Sequence, residues 1–345
     1  MKKFYTVFIM VCSIMLCIGC GKNAAQQEEG EDASGSVVVL EETTRVMEEA
    51  QEENTAEQEL QPETDAEETQ TETTAQEPEQ TTEASENEVT EAAEEVVQQP
   101  EDNNLQIVFL GDSILDGYRD QTGIAYLTGQ NCGAEVYNLA IGGTSAGLTT
   151  YEKGEYEKWD SRSLQGVVHV LCGNVNSSLL DGIKAGEIYA SCDVENTDYF
   201  VIEYGMNDFL KGIPLNDEGD FYDEYTYVGA LRIAISQLRE NFPNATIVLC
   251  APNYAHFWHE DGSYMGDGNM ASNGLATLVE YARVCGNVAN DMNTLFLNAY
   301  DGIGLDAYTA DEYLEDGVHL SEKGRSEYAR VLSKVIMQYE ETKNN

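Results

Sequence analysis

Four short stretches of this 345-residue chain carry side chains that could do acyl-transfer chemistry together. Asp316-Gly317-Val318-His319 sets an acid three residues before an imidazole. Folded back within one turn, the carboxylate can hold one ring nitrogen while the other faces a hydroxyl, the orienting arrangement a serine nucleophile needs. The candidate hydroxyl is Ser113, delivered by Gly111-Asp112 at the end of the apolar run Ile107 to Leu110. Asn207, in Gly205-Met206-Asn207-Asp208, has a side-chain amide able to donate to a developing negative charge. Gly142-Gly143 lets backbone approach a ligand closely, with the Gly143 amide as a further donor. Taken singly, each stretch has a structural explanation: Gly-Asp-Ser opens helices, paired glycines and Asn-Asp make turns, and a lone His is commonly a packing residue. Only four histidines occur in the chain, and His319 has an acid at orienting distance.

The elements that must position these residues are short apolar runs alternating with helical periodicity. The pattern predicts strands at Gln106 to Leu110, Glu135 to Ile141, Tyr199 to Tyr204, Thr246 to Cys250 and Thr294 to Asn298. Helices are clearest at Tyr227 to Glu240, Gly274 to Cys285 and Glu322 to Tyr339, the last with Ser321 as N-cap. Near-continuous apolar strands separated by helices imply a five-stranded parallel sheet covered on both faces, an α/β domain. Right-handed crossovers then bring every strand's C-terminal end to one edge, where Ser113, Gly143 and Asn207 each follow a strand. No internal repeat is visible.

Gly111-Asp112-Ser113, Gly143, Gly205-x-Asn207-Asp208 and Asp316-x-x-His319, in this order, resemble the four blocks of the GDSL/SGNH hydrolase family. The resemblance runs from Leu105 to about Tyr339, and its joint match is specific although each block is short. It implies a flavodoxin-like three-layer α/β/α fold and hydrolysis of esters or related acyl groups. Residue by residue it implies Ser113 as nucleophile, His319 as base and Asp316 as its orienting acid. The oxyanion hole would come from the backbone N–H groups of Ser113 and Gly143 and the side chain of Asn207, with Asp112 and Asp208 in support. Ile114 stands where Leu often follows the block-one serine, and between Tyr151 and Asn196 the resemblance says little. Such a set needs no metal or organic cofactor.

The N-terminal part has a different character. Met1-Lys2-Lys3 precedes an apolar run, Phe4 to Ile18, too short for a comfortable membrane span, which reads as a secretion signal. Its end, Leu16-Cys17-Ile18-Gly19-Cys20, resembles the lipobox of bacterial lipoproteins, with Cys17 where an apolar residue is usual. That implies cleavage before residue 20 and a diacylated Cys20, which would anchor the chain without spanning the membrane. Residues 21–104 contain no aromatic side chain and carry 27 acidic residues against Lys22 and Arg45. This composition cannot bury enough apolar surface to offset the entropy of ordering, so a solvated, self-repelling tether is expected. The organisation expected is therefore a signal peptide over 1–20, a tether over 21–104 and a hydrolase domain over 105–345, exported to the outer face of the cytoplasmic membrane.

Residues 105–345 have 36 acidic and 14 basic side chains, which argues against nucleic acid as a partner and against adhesion to anionic polymers. Their five cysteines lack metal-ligand spacing and read as buried thiols, with Cys172 and Cys192 as a candidate bridge. His256-Phe257-Trp258-His259-Glu260 follows the fourth strand and so reaches the same edge as the four blocks. It reads as a rim loop touching substrate rather than as a metal site, and Trp159 is a further rim candidate. His169 reads as a packing histidine. The expectation is a membrane-tethered monomeric serine esterase for O-acyl, chiefly O-acetyl, esters of extracellular glycans. A lipase or lysophospholipase and a non-catalytic glycan-binding module are the competing readings.

Overall fold

Leu105–Gly111 (β1) is buried from Gln106 to its end, as a central strand covered on both faces must be. In the computed structural model, which describes residues 105–152, 158–259 and 261–343, it is followed by the one-turn helix Ser113–Asp116 (α1), Ile124–Cys132 (α2) and Ala134–Asn138 (β2). The expected signal peptide, Cys20 and the acidic tether lie outside the described residues. Next come Leu164–Leu171 (α3), Lys184–Tyr189 (α4), Tyr199–Glu203 (β3), Met206–Lys211 (α5), Tyr227–Asn241 (α6) and Thr246–Cys250 (β4). A hairpin, His256–Trp258 (β5) and Tyr264–Asp267 (β6), precedes Leu278–Asp291 (α7), Leu295–Leu297 (β7), Ala299–Gly302 (α8), Ala310–Tyr313 (α9) and Glu322–Lys343 (α10).

Five strands form one parallel sheet in the order β2-β1-β3-β4-β7, in the expected architecture. The chain steps from β1 to β2 in one direction and from β2 through β3 and β4 to β7 in the other. Right-handed crossovers therefore lay α2 on one face and α3, α6 and α7 on the opposite face. α10 packs along α2, and α6 packs against α3 and α7. The reversal of direction falls beside β1, so the crevice at its C-terminal end opens where Ser113 begins α1.

Element boundaries differ from the sequence reading most at β2 and α7, and a hairpin replaces an expected loop. β2 ends at Asn138 rather than Ile141, because the Asn138 side chain turns back to accept from Ala140 N and donate to the Leu115 carbonyl. Leu139 and Ile141 still donate to Phe109 and Gly111 of β1 across this irregular end. α7 starts at Leu278, not Gly274. Asn273 holds residues 275 and 276 in a turn, Gly274 has φ +89°, and Thr277 with Glu280 makes a reciprocal capping box. Loop residues 256–267 form a hairpin with a register irregularity between Phe257 and Trp258. Ser321 caps α10, its Oγ accepting from Gly324 N at 3.2 Å.

Cys132, Cys250 and Cys285 are buried thiols, and Cys172 and Cys192 stand unbridged. Cys172 ends α3 and points its sulfur at the Gln237 carbonyl of α6, while Cys192 lies near Glu135 of β2. Among the described residues no helix is long and apolar enough to cross a membrane.

Candidate active site

Ser113 is the first residue of α1, and Asp112 caps that helix, its Oδ1 accepting from Ile114 N at 2.9 Å. The helix start therefore fixes the serine at the end of β1, an inner strand of the sheet. His319 Nε2 lies 2.9 Å from Ser113 Oγ, and His319 Nδ1 lies 2.8 Å from Asp316 Oδ2. Asp316 Oδ1 accepts from the N–H groups of Val318 and His319, at 3.0 and 2.9 Å, so the turn itself aims the second oxygen at the ring. Burial alone would raise the Asp316 carboxyl. The bonds from the His319 ring and from the two amides outweigh it and hold the carboxyl down at about 2. In return the bond to Asp316 raises the His319 imidazole above its ordinary 6.5, against the opposing effect of burial.

Gly317 makes the turn possible. Its φ is +93°, and a Cβ there would lie 2.0 Å from Trp258 Cζ3 and 2.8 Å from the His256 carbonyl. His256 N donates to the Gly317 carbonyl at 2.8 Å, and Asn253 Nδ2 donates to the Val318 carbonyl at 3.2 Å. The Asp-x-x-His turn is thus fastened to the end of β4 and to the β5 hairpin.

The glycine pair reaches the same place. A Cβ on Gly142 would come 3.8 Å from Ser113 Cβ, while Gly143, at φ +77°, faces open space. Among the described residues neither the Ser113 nor the Gly143 N–H donates to a protein acceptor. Asn207 sits in the first turn of α5, whose start, Gly205, has φ +131° and no room for a Cβ beneath Tyr227 Oη and Pro252. Its Nδ2 donates to Asp112 Oδ2 at 3.0 Å, leaving its second hydrogen unassigned. Asp208, wholly buried, accepts from Ala146 and Gly147 at 3.0 and 2.9 Å, tying α5 to the loop that carries Gly143. Burial pushes the carboxyls of Asp112 and Asp208 each up to about 6 in spite of these bonds.

The rim candidates part company. Trp258 is 43% exposed on the hairpin, edge-on to His256 and Tyr264 at 5.8 and 5.9 Å between ring centres. His256 Nε2 meets Tyr254 Oη at 3.0 Å. Trp159 is buried instead, donating to the Ser161 carbonyl and packed edge-on against His169. It still helps to line a polar cleft of about 780 Å³ that begins at Gly143, Thr144 and Ser145 and includes Lys211. A second pocket of about 230 Å³ is lined by Ser113, His319, Tyr118 and Arg325 among others. Glu260 is outside the described residues, and among those described no three His, Cys, Asp or Glu side chains group as a metal site.

The sequence reading missed the residues that hold the glycine turn. Arg119 donates to Asp116 and to the carbonyls of Asn138 and Ala140, and Asp116 Oδ2 accepts from Gly142 N at 2.7 Å. The acid–base spacing of Asp116 and Arg119, three apart, is the one signal that pointed there. Glu203 was missed as well, hidden inside an apolar strand pattern.

Among curated proteins no relative matches the chain. Among solved structures one crystal structure is matched over 97% of its chain and 68% of this one, at 20% identity and a TM-score of 0.51, a likeness in fold. A Chitinophaga pinensis protein described as a possible lipase matches at 18% identity, 99% of its chain, 68% of this one and a TM-score of 0.48. A carbohydrate acetylesterase from Sinorhizobium meliloti matches at 13%, 100%, 68% and 0.44. The family model of GDSL-like lipases and acylhydrolases matches residues 109–326, most of the described domain, and the chain therefore belongs to that family of serine ester hydrolases.

Proposed function

We propose that this chain is an exported, membrane-tethered esterase that removes short O-acyl groups, chiefly acetyl, from extracellular glycans. The observation that carries the reading is the unbroken line from Asp316 through His319 to Ser113 Oγ, at 2.8 and 2.9 Å, beside an N–H of Gly143 that has no protein acceptor among the described residues. His319 takes the Ser113 proton as the serine attacks the ester carbonyl. Asp316 holds the ring in the tautomer that leaves Nε2 free and stabilises the imidazolium. The N–H groups of Ser113 and Gly143 and the Asn207 amide stabilise the oxyanion, each contributing about 3 kcal/mol to the transition state. His319 then protonates the departing alcohol, and water releases the acyl group by the same path.

A polar cleft beside the oxyanion donors and an exposed indole against the His319 turn suit a hydroxyl-rich alcohol. The acidic tether and the lipobox-like Cys20 support action at the cell surface. One observation favours a longer acyl chain instead: Met265, Met270 and Leu275 are exposed close to Trp258 in sequence. The purified chain assayed on acetylated xylan, acetylated peptidoglycan and p-nitrophenyl esters of rising chain length decides. Highest kcat/KM on an acetylated glycan is expected, and a steady rise with acyl length would overturn the glycan reading.

A further inference from the structure

Directly behind Ser113 lies a buried acid that the reaction leaves unused. Glu203 ends β3 in register with Gly111 and is 0% exposed. Neither of its carboxyl oxygens meets a hydrogen-bond donor side chain or amide in good geometry. What the carboxyl faces is that of Asp112, itself wholly buried, with the Asp112 backbone N–H alongside. The other titratable groups around Glu203 are Asp208 of α5, Tyr204 beside it, Tyr227 of α6, Cys250 of β4, Cys285 of α7 and Tyr328 of α10. All of these are neutral or negative, and His319, beyond Asp112, is a basic group that bears on the pair.

Two carboxylates in contact without a cation between them cannot both stay ionised away from water. Two oxygens that face each other with no donor are satisfied only if one of them carries a proton. The surroundings say which. Asp112 already accepts from Ile114 N and from Asn207 Nδ2, and both bonds favour its ionised form. Glu203 has only the Asp112 backbone N–H alongside it, against two well-aligned donors on Asp112, so it is the member that keeps the proton; burial and the neighbouring Asp112 carboxyl outweigh that one N–H and push its carboxyl well above the ordinary range.

We propose that Glu203 is a positioning residue for the ester hydrolysis: held as a neutral acid, it donates its proton to Asp112 and so keeps the Asp112 carboxylate turned toward Asn207. With one amide hydrogen of Asn207 fixed on Asp112, the other is held for the oxyanion, so the pair acts on the transition state through Asn207 without touching substrate. The role in catalysis rests on Asn207 being an oxyanion donor, as in the function proposed above.

The test joins a spectroscopic reading to a pair of variants of the full chain. Infrared difference spectra of the wild type at neutral pH should show the C=O stretch of a protonated, buried carboxylic acid, absent from Glu203→Gln. Glu203→Gln retains a donor to Asp112 and should keep at least about a third of kcat. Glu203→Met has similar length and no donor, and should lose about tenfold in kcat with KM within about twofold. Absence of the protonated-acid band, or equal kcat in the Gln and Met variants, would overturn the proposal. Failure of the catalytic reading looks different: esterase activity surviving in Ser113→Ala would sink the serine mechanism, while the infrared band would still report on the acid pair.

Discussion

Trp258 lies directly on Gly317, so close that a Cβ on the glycine would sit 2.0 Å from Cζ3 of the indole. The hairpin carrying the tryptophan and the turn carrying Asp316 and His319 are therefore packed as one piece. Gly317→Ala should force the indole or the turn to move and also strain the backbone at φ +93°, a cost of about 2 kcal/mol. Displacing an imidazole by even about 1 Å can cost on the order of a hundredfold in rate. The variant should remain folded with a lowered melting temperature and lose kcat far beyond that stability loss. A kcat equal to wild type would show that the contact does not govern the turn.

The pH dependence follows from the same turn. His319 must be neutral to accept the Ser113 proton, and its pKa is raised by Asp316, so activity is absent below that raised value and gained as pH rises through it. Asp316, held at about 2, stays ionised across this window. The acid limb of kcat/KM should therefore lie above 6.5, the ordinary imidazole value. In Asp316→Asn the raising bond to a carboxylate is gone, so the limb should shift to lower pH while the plateau falls by about a hundredfold or more. A limb that stays in place would mean that another group titrates.

Asn207 and Ser113 separate donor from nucleophile. Ser113→Ala should abolish both turnover and labelling by a fluorophosphonate probe. Asn207→Ala keeps Ser113 and His319, so slow labelling should persist while kcat falls by about a hundredfold. Replacing Ser113 and His319 together should cost little more than replacing Ser113, because the two act as one unit. Labelling of Ser113→Ala at the wild-type rate would remove the serine from its assigned role.

Much of this arrangement is legible in the sequence, because it rests on local chemistry. A glycine after an apolar run, an acid three residues from a histidine and an Asn-Asp after a strand are short-range signals, and parallel topology follows from strands that are apolar throughout. What stayed hidden depends on long-range contacts. Arg119 reaches Asn138 and Ala140, and Trp258 reaches Gly317, across sequence distances over which spacing carries no information. Trp159 read as a rim residue because it falls between elements; tertiary packing on His169 buries it. Glu203 read as part of an apolar strand, which is where β3 places it, against Asp112.

Anchoring can be tested apart from catalysis. Cys20→Ala should move the chain from the membrane fraction to the medium or leave it as unprocessed precursor, with esterase activity on a soluble ester retained. Unchanged fractionation, with no acyl mass on the N-terminal peptide, would remove the lipoprotein reading.

Trp258 has two candidate roles, and a substrate comparison separates them. The six-membered ring of the indole meets Gly317, while the residue as a whole is 43% exposed, with Tyr264 edge-on to it, and a sugar ring could stack on the exposed part. Loss of one such aromatic contact is worth about 1 kcal/mol, or about fivefold in affinity. If the exposed part binds glycan, Trp258→Ala should raise KM for an acetylated polysaccharide by about that factor and change KM for p-nitrophenyl acetate little, since the small ester does not reach the rim. Trp258→Phe, which retains an aromatic ring over Gly317, should recover most of the loss. An equal fall in kcat on both substrates would instead mean that the indole acts by holding the Asp316–His319 turn, and would move the glycan contact to the cleft at Gly143.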